Sequence, residues 1–270
     1  VQRNPWSKID PSLSSLPVTI INKLPDESFL KGLLLDTDFV INFISDGRVN
    51  YCEENPEETH HINVDLPLMI ANLCNQMSVK YCTFSSNVVF DGKHAPYDEL
   101  SILSPVGVYG RQKAELEEKI FELHPNSLII RTLFTFGIPF KINFRSNPVY
   151  DLLTNPPTKK ILAVNDVWNN PVFAEDLANF LDISIVKDLR GLYQIAGSDR
   201  LSRFDLFEQI FKLKKYNMEY LVAAKDADFP GPSRPRDTTF DLSKSLKTGW
   251  QPTPTLEALQ KMILELTPSN

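Results

Sequence analysis

The stretch Lys80–Glu117, KYCTFSSNVVFDGKHAPYDELSILSPVGVYGRQKAELE, fixes the fold around it. Val79 to Phe84 is a run of β-branched and aromatic residues, which predicts a buried strand ending on the hydroxyl pair Ser85 and Ser86. A polar loop with a tight turn at Phe90-Asp91-Gly92 then leads to a predicted helix starting near Val108. Tyr109 and Lys113 are four apart on that helix and share one face, with Cβ atoms about 5–6 Å apart. A phenol, whose unperturbed pKa is about 10, needs help to move a proton near neutrality. An ammonium close by favours the phenolate. The pair therefore predicts a general acid or base acting on a carbinol or carbonyl oxygen placed by the Ser86 hydroxyl, as in carbonyl reduction by hydride transfer. Tyr-x-x-x-Lys alone equally describes a solvated helix face. The strand-end serines, the tight turn and the segment Ser104-Pro105-Val106-Gly107-Val108-Tyr109-Gly110, with small residues around the tyrosine, favour the chemistry.

The chain of 270 residues, 42% hydrophobic, can bury one large core or a core with a smaller lobe. No apolar run approaches the roughly 20 residues a membrane helix needs, and no signal peptide stands at the N-terminus, so a cytoplasmic protein is expected. A net charge of −6 argues against binding nucleic acid through its phosphates. Cys52, Cys74 and Cys82 are odd in number and unpatterned, which suits a reducing compartment. With His60, His61, His94 and His124 they form no ligand array, and no metal site is expected.

In the first forty residues, VQRNPW is read as an arginine-containing turn in which Arg3 meets a cofactor 2′-phosphate, or as an ordinary polar loop. Val18 to Ile21 predicts a short strand. Pro25-Asp26-Glu27 opens a helix to Leu35, with Phe29, Leu30, Leu33 and Leu34 at helical spacing. Phe39 to Phe43 predicts a strand covered on both faces, followed by the loop Ser45-Asp46-Gly47-Arg48 and an acidic stretch to Glu58. Asn63-Val64-Asp65 precedes a helix with a stripe of Leu66, Met69, Ile70 and Leu73.

Strand and helix keep alternating through Ser127 to Leu133, which predicts an α/β fold with a doubly wound parallel sheet. Ser45, Ser86 and Thr132 to Thr135 then lie on the rim where ligands bind. Beyond Gly137 the loops lengthen. Helices are expected from Pro148, after Asn170–Ala178, from Ser202 to Lys214 and from Leu256 to Leu266, with strands at Lys160–Val164 and Gly191–Ala196. Ser202-Arg203-Phe204-Asp205 approximates a capping box. The glycines, at 32, 47, 92, 107, 110, 137, 191, 197, 231 and 249, give no G-x-G-x-x-G turn of the kind that cradles a pyrophosphate.

The block from Lys80 to Glu117 resembles the active-site block of extended short-chain dehydrogenases/reductases. The similar branch includes dTDP-4-dehydrorhamnose reductases and the beta regulatory subunit of methionine adenosyltransferase. Asn170–Ala178 resembles that family's return from its substrate lobe, and Arg234-Pro235-Arg236-Asp237 with Phe240-Asp241-Leu242-Ser243-Lys244 resembles its Arg-Pro and Leu-Asp-x-Ser-Lys signature. The resemblance implies a Rossmann-like sheet lacking its first β-α unit, with a small C-terminal substrate lobe. Residues 1–137 would form the nucleotide-binding domain and 138–270 the lobe, with about 171–196 returning to the sheet. Either the chain lacks its first few tens of residues or it has lost the phosphate cradle.

By position, Ser86, Tyr109 and Lys113 match the catalytic triad. The resemblance assigns NADP(H) to Arg3, Phe43, Ser45, Tyr109 and Lys113, and a nucleotide-sugar substrate to Asn87, Val88, Phe134, Arg234 and Arg236. The alternative for the two arginines is a loop pinned by internal salt bridges. Asn87 and Val88 depart from the family's Asp and Tyr, and Phe43 and Ile44 replace small residues beside the cofactor. Three functions follow. One is an NADP(H)-dependent reductase of a nucleotide-linked 4-keto-6-deoxy sugar. Another is a non-catalytic regulatory or structural subunit, docking on a partner enzyme or forming a homodimer. The last is a reductase or epimerase of another nucleotide sugar.

Overall fold

The computed structural model describes residues 26–139 and 147–267. Arg3 and the strand expected at Val18–Ile21 lie outside the described residues. Helix α1 (Glu27–Leu34) begins at Asp26, whose carboxylate accepts the Phe29 amide at 3.0 Å, and buries Leu30 and Leu34 one turn apart. Strand β1 (Phe39–Asn42) follows.

From Val49 to Gln76 the chain is almost wholly helical, the acidic stretch included. It forms helices α2 (Val49–Glu54) and α3 (Pro56–His60), a π-turn (His61–Asp65) and α4 (Leu66–Gln76). Periodicity hid α2 because it is short and buries only Cys52. In the π-turn the Leu66 amide bonds to the His61 carbonyl, five residues back. Pro67 has no N–H to continue the ordinary ladder, which accounts for widening at this point. The expected stripe then continues from Leu66 through Ile70 and Leu73.

Strand β2 (Lys80–Ser86), α5 (Val108–Leu123) and β3 (Leu128–Thr132) complete the predicted alternation. Next come β4 (Thr135–Phe136), α6 (Pro148–Thr154), β5 (Ile161–Val164), β6 (Trp168–Asn169), β7 (Val172–Phe173), α7 (Ala174–Val186) and β8 (Gly191–Gln194). The chain ends through β9 (Leu201–Ser202), α8 (Arg203–Lys214), β10 (Leu221–Ala224), α9 (Ser243–Leu246) and α10 (Thr255–Leu266). The capping box of α8 is made as expected: Ser202 Oγ accepts the Asp205 amide at 3.1 Å, and the Asp205 carboxylate accepts the Ser202 amide at 2.8 Å.

The main sheet is parallel throughout, in the order β1-β2-β3-β8, with Ile41 opposite Cys82 and Phe84 opposite Ile130. One face buries Tyr81 and Ile129 under Leu66, Ile70, Leu116 and Ile120; the other buries Cys82 and Ile130 under Phe180, Leu181 and Trp250. A doubly covered parallel sheet is the α/β architecture that the alternation predicted. Another hydrophobic cluster joins Phe136, Leu152, Phe207, Phe211, Leu259 and Met262, around the short pairs β5–β10 and β4–β7. Asn42, Ser86 and Thr132 end neighbouring strands on one rim, against which the C-terminal segment 229–238 returns.

Candidate active site

Tyr109 is the second residue of α5, whose first amide, Val108 N, donates to Glu53 Oε1 at 2.7 Å. A carboxylate from α2 thus caps the helix at its positive end and fixes where the tyrosine emerges. Asn63, in the π-turn, shapes the loop opposite. Its Oδ1 accepts Ser45 Oγ at 3.0 Å and the Asp46 amide at 2.7 Å, while its Nδ2 donates to the Asp46 carbonyl at 3.0 Å and Gln112 Oε1 at 2.8 Å. A wide turn therefore aims one side chain at two segments that meet at the site.

The Tyr109 hydroxyl faces the hydroxyls of Ser45 and Ser86. Burial raises the phenol pKa above its usual 10, and the two serine hydroxyls pull the other way without overcoming it. This corrects the expectation that Lys113 would favour the phenolate. The Lys113 Nζ lies 5.8 Å from the Tyr109 ring centroid and donates to the Phe84 carbonyl at 3.0 Å. Burial lowers the lysine itself to about 8, with Glu117 opposing that shift. The acceptor to which Lys113 is bonded is the Phe84 carbonyl, and the groups that act on the phenol are burial and the serine hydroxyls.

Tyr109 opens onto a cavity of about 690 Å³. Asn87, Val88 and Phe134 line it together with Arg48, Asn50 and Tyr51 of the α2 region and Pro232 to Pro235 of the C-terminal segment. Ser86 Oγ donates to Asn87 Oδ1 at 3.2 Å, and Asn87 Nδ2 donates to Thr238 Oγ1 at 2.5 Å, tying the strand end to the returning C-terminal segment. Arg48 is held by Asp46 and lies 3.9 Å over the Tyr51 ring.

The structure brings Ser45, Ser86, Tyr109 and Lys113 together and sets Asn87, Val88, Phe134 and Arg234 on the adjoining cavity. Arg236 stands apart, exposed and 5.9 Å from the Trp168 ring centroid. Arg234 pairs with Asp226 at 2.5 Å while still lining the cavity, so the salt-bridge reading describes part of its bonding. Phe43 is 62% exposed, its ring stacked on Phe84 at 4.6 Å. Sequence reasoning missed Arg48, Asn50 and Tyr51 because it placed Arg48 in a polar loop and gave the acidic stretch after it no element; Val49 and Cys52, three apart ahead of Pro56, were the available signal. It also missed Asn63, for which no local pattern exists.

The residues at this rim fit the nicotinamide-ribose end of a dinucleotide: the buried Lys113 ammonium and the Ser45 and Tyr109 hydroxyls. Among the described residues no glycine-rich strand-to-helix turn offers a place for the pyrophosphate. Among them also, no cluster of His, Cys, Asp and Glu is arranged to hold a metal, and no helix is long and apolar enough to cross a membrane.

A family profile described as RmlD substrate binding domain matches residues 23–267. A dTDP-4-dehydrorhamnose reductase of Aggregatibacter actinomycetemcomitans is 28% identical over 239 residues, 83% of this chain and 79% of that protein. Methionine adenosyltransferase 2 subunit beta of Pongo abelii is 23% identical over 216 residues, 76% of this chain and 63% of that one. The crystal structure of a Bacillus anthracis dTDP-4-dehydrorhamnose reductase in complex with NADP superposes with a TM-score of 0.79 at 21% identity, over 89% of this chain and 85% of that one, which shows a shared fold.

Proposed function

Because this chain belongs to the RmlD substrate binding domain family, we propose that it is an NADP(H)-dependent reductase of a nucleotide-linked 4-keto-6-deoxy sugar. The observation that carries this reading is the Tyr109 hydroxyl, set against Ser45 and Ser86 at the edge of a 690 Å³ cavity. A phenol with a raised pKa keeps its proton at neutral pH, the state required of a general acid in the reducing direction. Ser86 orients the keto oxygen and Tyr109 protonates it. A nicotinamide dinucleotide held at this rim would supply the hydride. Lys113, anchored on the Phe84 carbonyl, would hold the nicotinamide ribose. Residues 1–137 serve the cofactor and the lobe from 138 onward serves the sugar nucleotide, with about 171–196 returning to the sheet. Relatives named dTDP-4-dehydrorhamnose reductase support the substrate class, and a fold shared with an NADP complex supports the cofactor.

The test is NADPH consumption by the purified protein with dTDP-4-keto-rhamnose. Tyr109→Phe is expected to lower turnover by about 10²–10⁴-fold with substrate binding retained. Undiminished turnover in that variant rejects the mechanism.

A second reading is a non-catalytic subunit docking on a partner enzyme. The exposed Phe43 ring at the cofactor rim and the similarity to methionine adenosyltransferase 2 subunit beta favour it. Co-purification with a methionine adenosyltransferase catalytic subunit, together with no NADPH consumption on any keto-sugar, would select it.

A further inference from the structure

Helix α5 begins without a cap of its own. Its N-cap is Gly107, which has no side chain to bond a backbone amide, and its first turn carries no acidic residue to meet the positive end of the helix. Glu53 supplies both from 55 positions upstream, accepting the Val108 amide on Oε1 at 2.7 Å. Gly107 makes room for that carboxylate. A Cβ there would stand 2.9 Å from the same oxygen, while the backbone angle itself, φ −113°, asks for no glycine.

The bond ends one residue short of Tyr109. The helix that sends it, α2, also lines the cavity: Asn50, Tyr51 and Glu54 stand there with Val106, Gly107 and Tyr109. One turn further along α5, Gln112 Nε2 donates to the Pro56 carbonyl and to Thr59 Oγ1, both at 3.0 Å, so α5 is held to the α2–α3 segment at two levels. Of these, the Glu53 bond is the one at the turn that carries the phenol. Without it the Val108 amide loses its acceptor and turns to water, and the start of α5 is no longer tied to α2.

We propose that Glu53 is the positioning residue for Tyr109, and that through it α2 couples the filling of the cavity to the placement of the phenol. A ligand that presses on Asn50 or Tyr51 moves Glu53, and with it the first turn of α5. Misplacing a reacting group by about 1 Å costs up to about 100-fold in rate. Glu53 itself touches no reacting atom. The inference rests on the proposed function for the reaction that Tyr109 serves, whereas the placement of the phenol is read without turnover.

Carbon-13 NMR of the full chain labelled at tyrosine Cζ, with Tyr109→Phe identifying the resonance, follows the phenol through its alkaline titration. NADPH consumption with dTDP-4-keto-rhamnose follows turnover. In Glu53→Ala the phenol should titrate at lower pH than in the parent, because water at a loosened first turn relieves the burial that holds it up. Turnover should fall by about 10–100-fold, with kcat changing more than KM. Glu53→Gln keeps an acceptor oxygen and should restore most of both. Gly107→Ala, which pushes the carboxylate away from the other side, should reproduce the shift and add little to it in the double variant. A cap that serves stability alone would lower the thermal midpoint of Glu53→Ala and leave the Tyr109 titration where it is in the parent. That result in the folded variant overturns the proposal and leaves the reductase reading standing. A lowered titration in Glu53→Ala, with no NADPH consumption even by the parent, upholds the positioning and removes the reductase reading. If Glu53→Ala does not fold, Gly107→Ala decides by the same titration.

Discussion

Lys113 hangs from the strand that carries the site serines: its Nζ donates to the carbonyl of Phe84, at 3.0 Å, two residues before Ser86. The amine is 98% buried and its proton is correspondingly loose, with a pKa of about 8. The helix supplies the side chain and β2 supplies its acceptor. The spacing of four to Tyr109 therefore places the lysine without pairing it to the phenol.

Stability should record that burial. The folded chain releases the Lys113 proton near pH 8, whereas an unfolded chain holds it to about 10.5, so the folded state gains stability as pH rises between those values. Lys113→Met removes this dependence. Relative to the variant, the parent should gain on the order of 3 kcal/mol between about pH 7 and pH 10.5. Urea unfolding of both proteins across that range measures it, and a constant difference would refute the assignment.

Gly110 is held to its size by the strand end. A Cβ there would stand 2.2 Å from the Val88 carbonyl oxygen and 3.0 Å from Pro105 Cβ. Gly110→Ala must shift α5 or the Asn87–Val89 turn, and we expect a loss of about 1–3 kcal/mol despite the better helix propensity of alanine. Because Tyr109 moves with α5, turnover should fall as well. A variant as stable as the parent in urea would mean that the backbone yields freely.

The buried pair Arg131–Glu117 ties β3 to α5 through bonds of 2.6 to 3.1 Å, both side chains at most 5% exposed. Removing one partner leaves a charge without its counter-ion, so Glu117→Leu should cost about 3–5 kcal/mol. The double variant Glu117→Leu, Arg131→Met should recover most of that loss. A double-mutant cycle in guanidinium chloride checks it, and additive losses would count against the pairing.

Phe43 offers a direct test of cofactor volume. Its ring is 62% exposed and stacks on Phe84 at the carboxyl end of β1. If the ring competes with the dinucleotide for that space, Phe43→Ala should tighten NADPH binding by about 5–100-fold. Fluorescence titration with NADPH reads the change. Weaker binding would show instead that the ring serves as a platform for the nicotinamide.

By itself the sequence determined the alternation of buried strands with amphipathic helices, the serines at the end of β2, the Tyr109 and Lys113 face of α5 and the capping box of α8. All of these depend on residues a few positions apart, where hydrophobic period and backbone propensity act directly. What only the tertiary structure decided was which groups meet. Asn63 reaches Ser45 across 18 residues, Lys113 reaches Phe84 across 29, and Glu53 reaches the Val108 amide across 55. Such meetings are set by the sheet and by side-chain packing, and no periodicity within one segment encodes them.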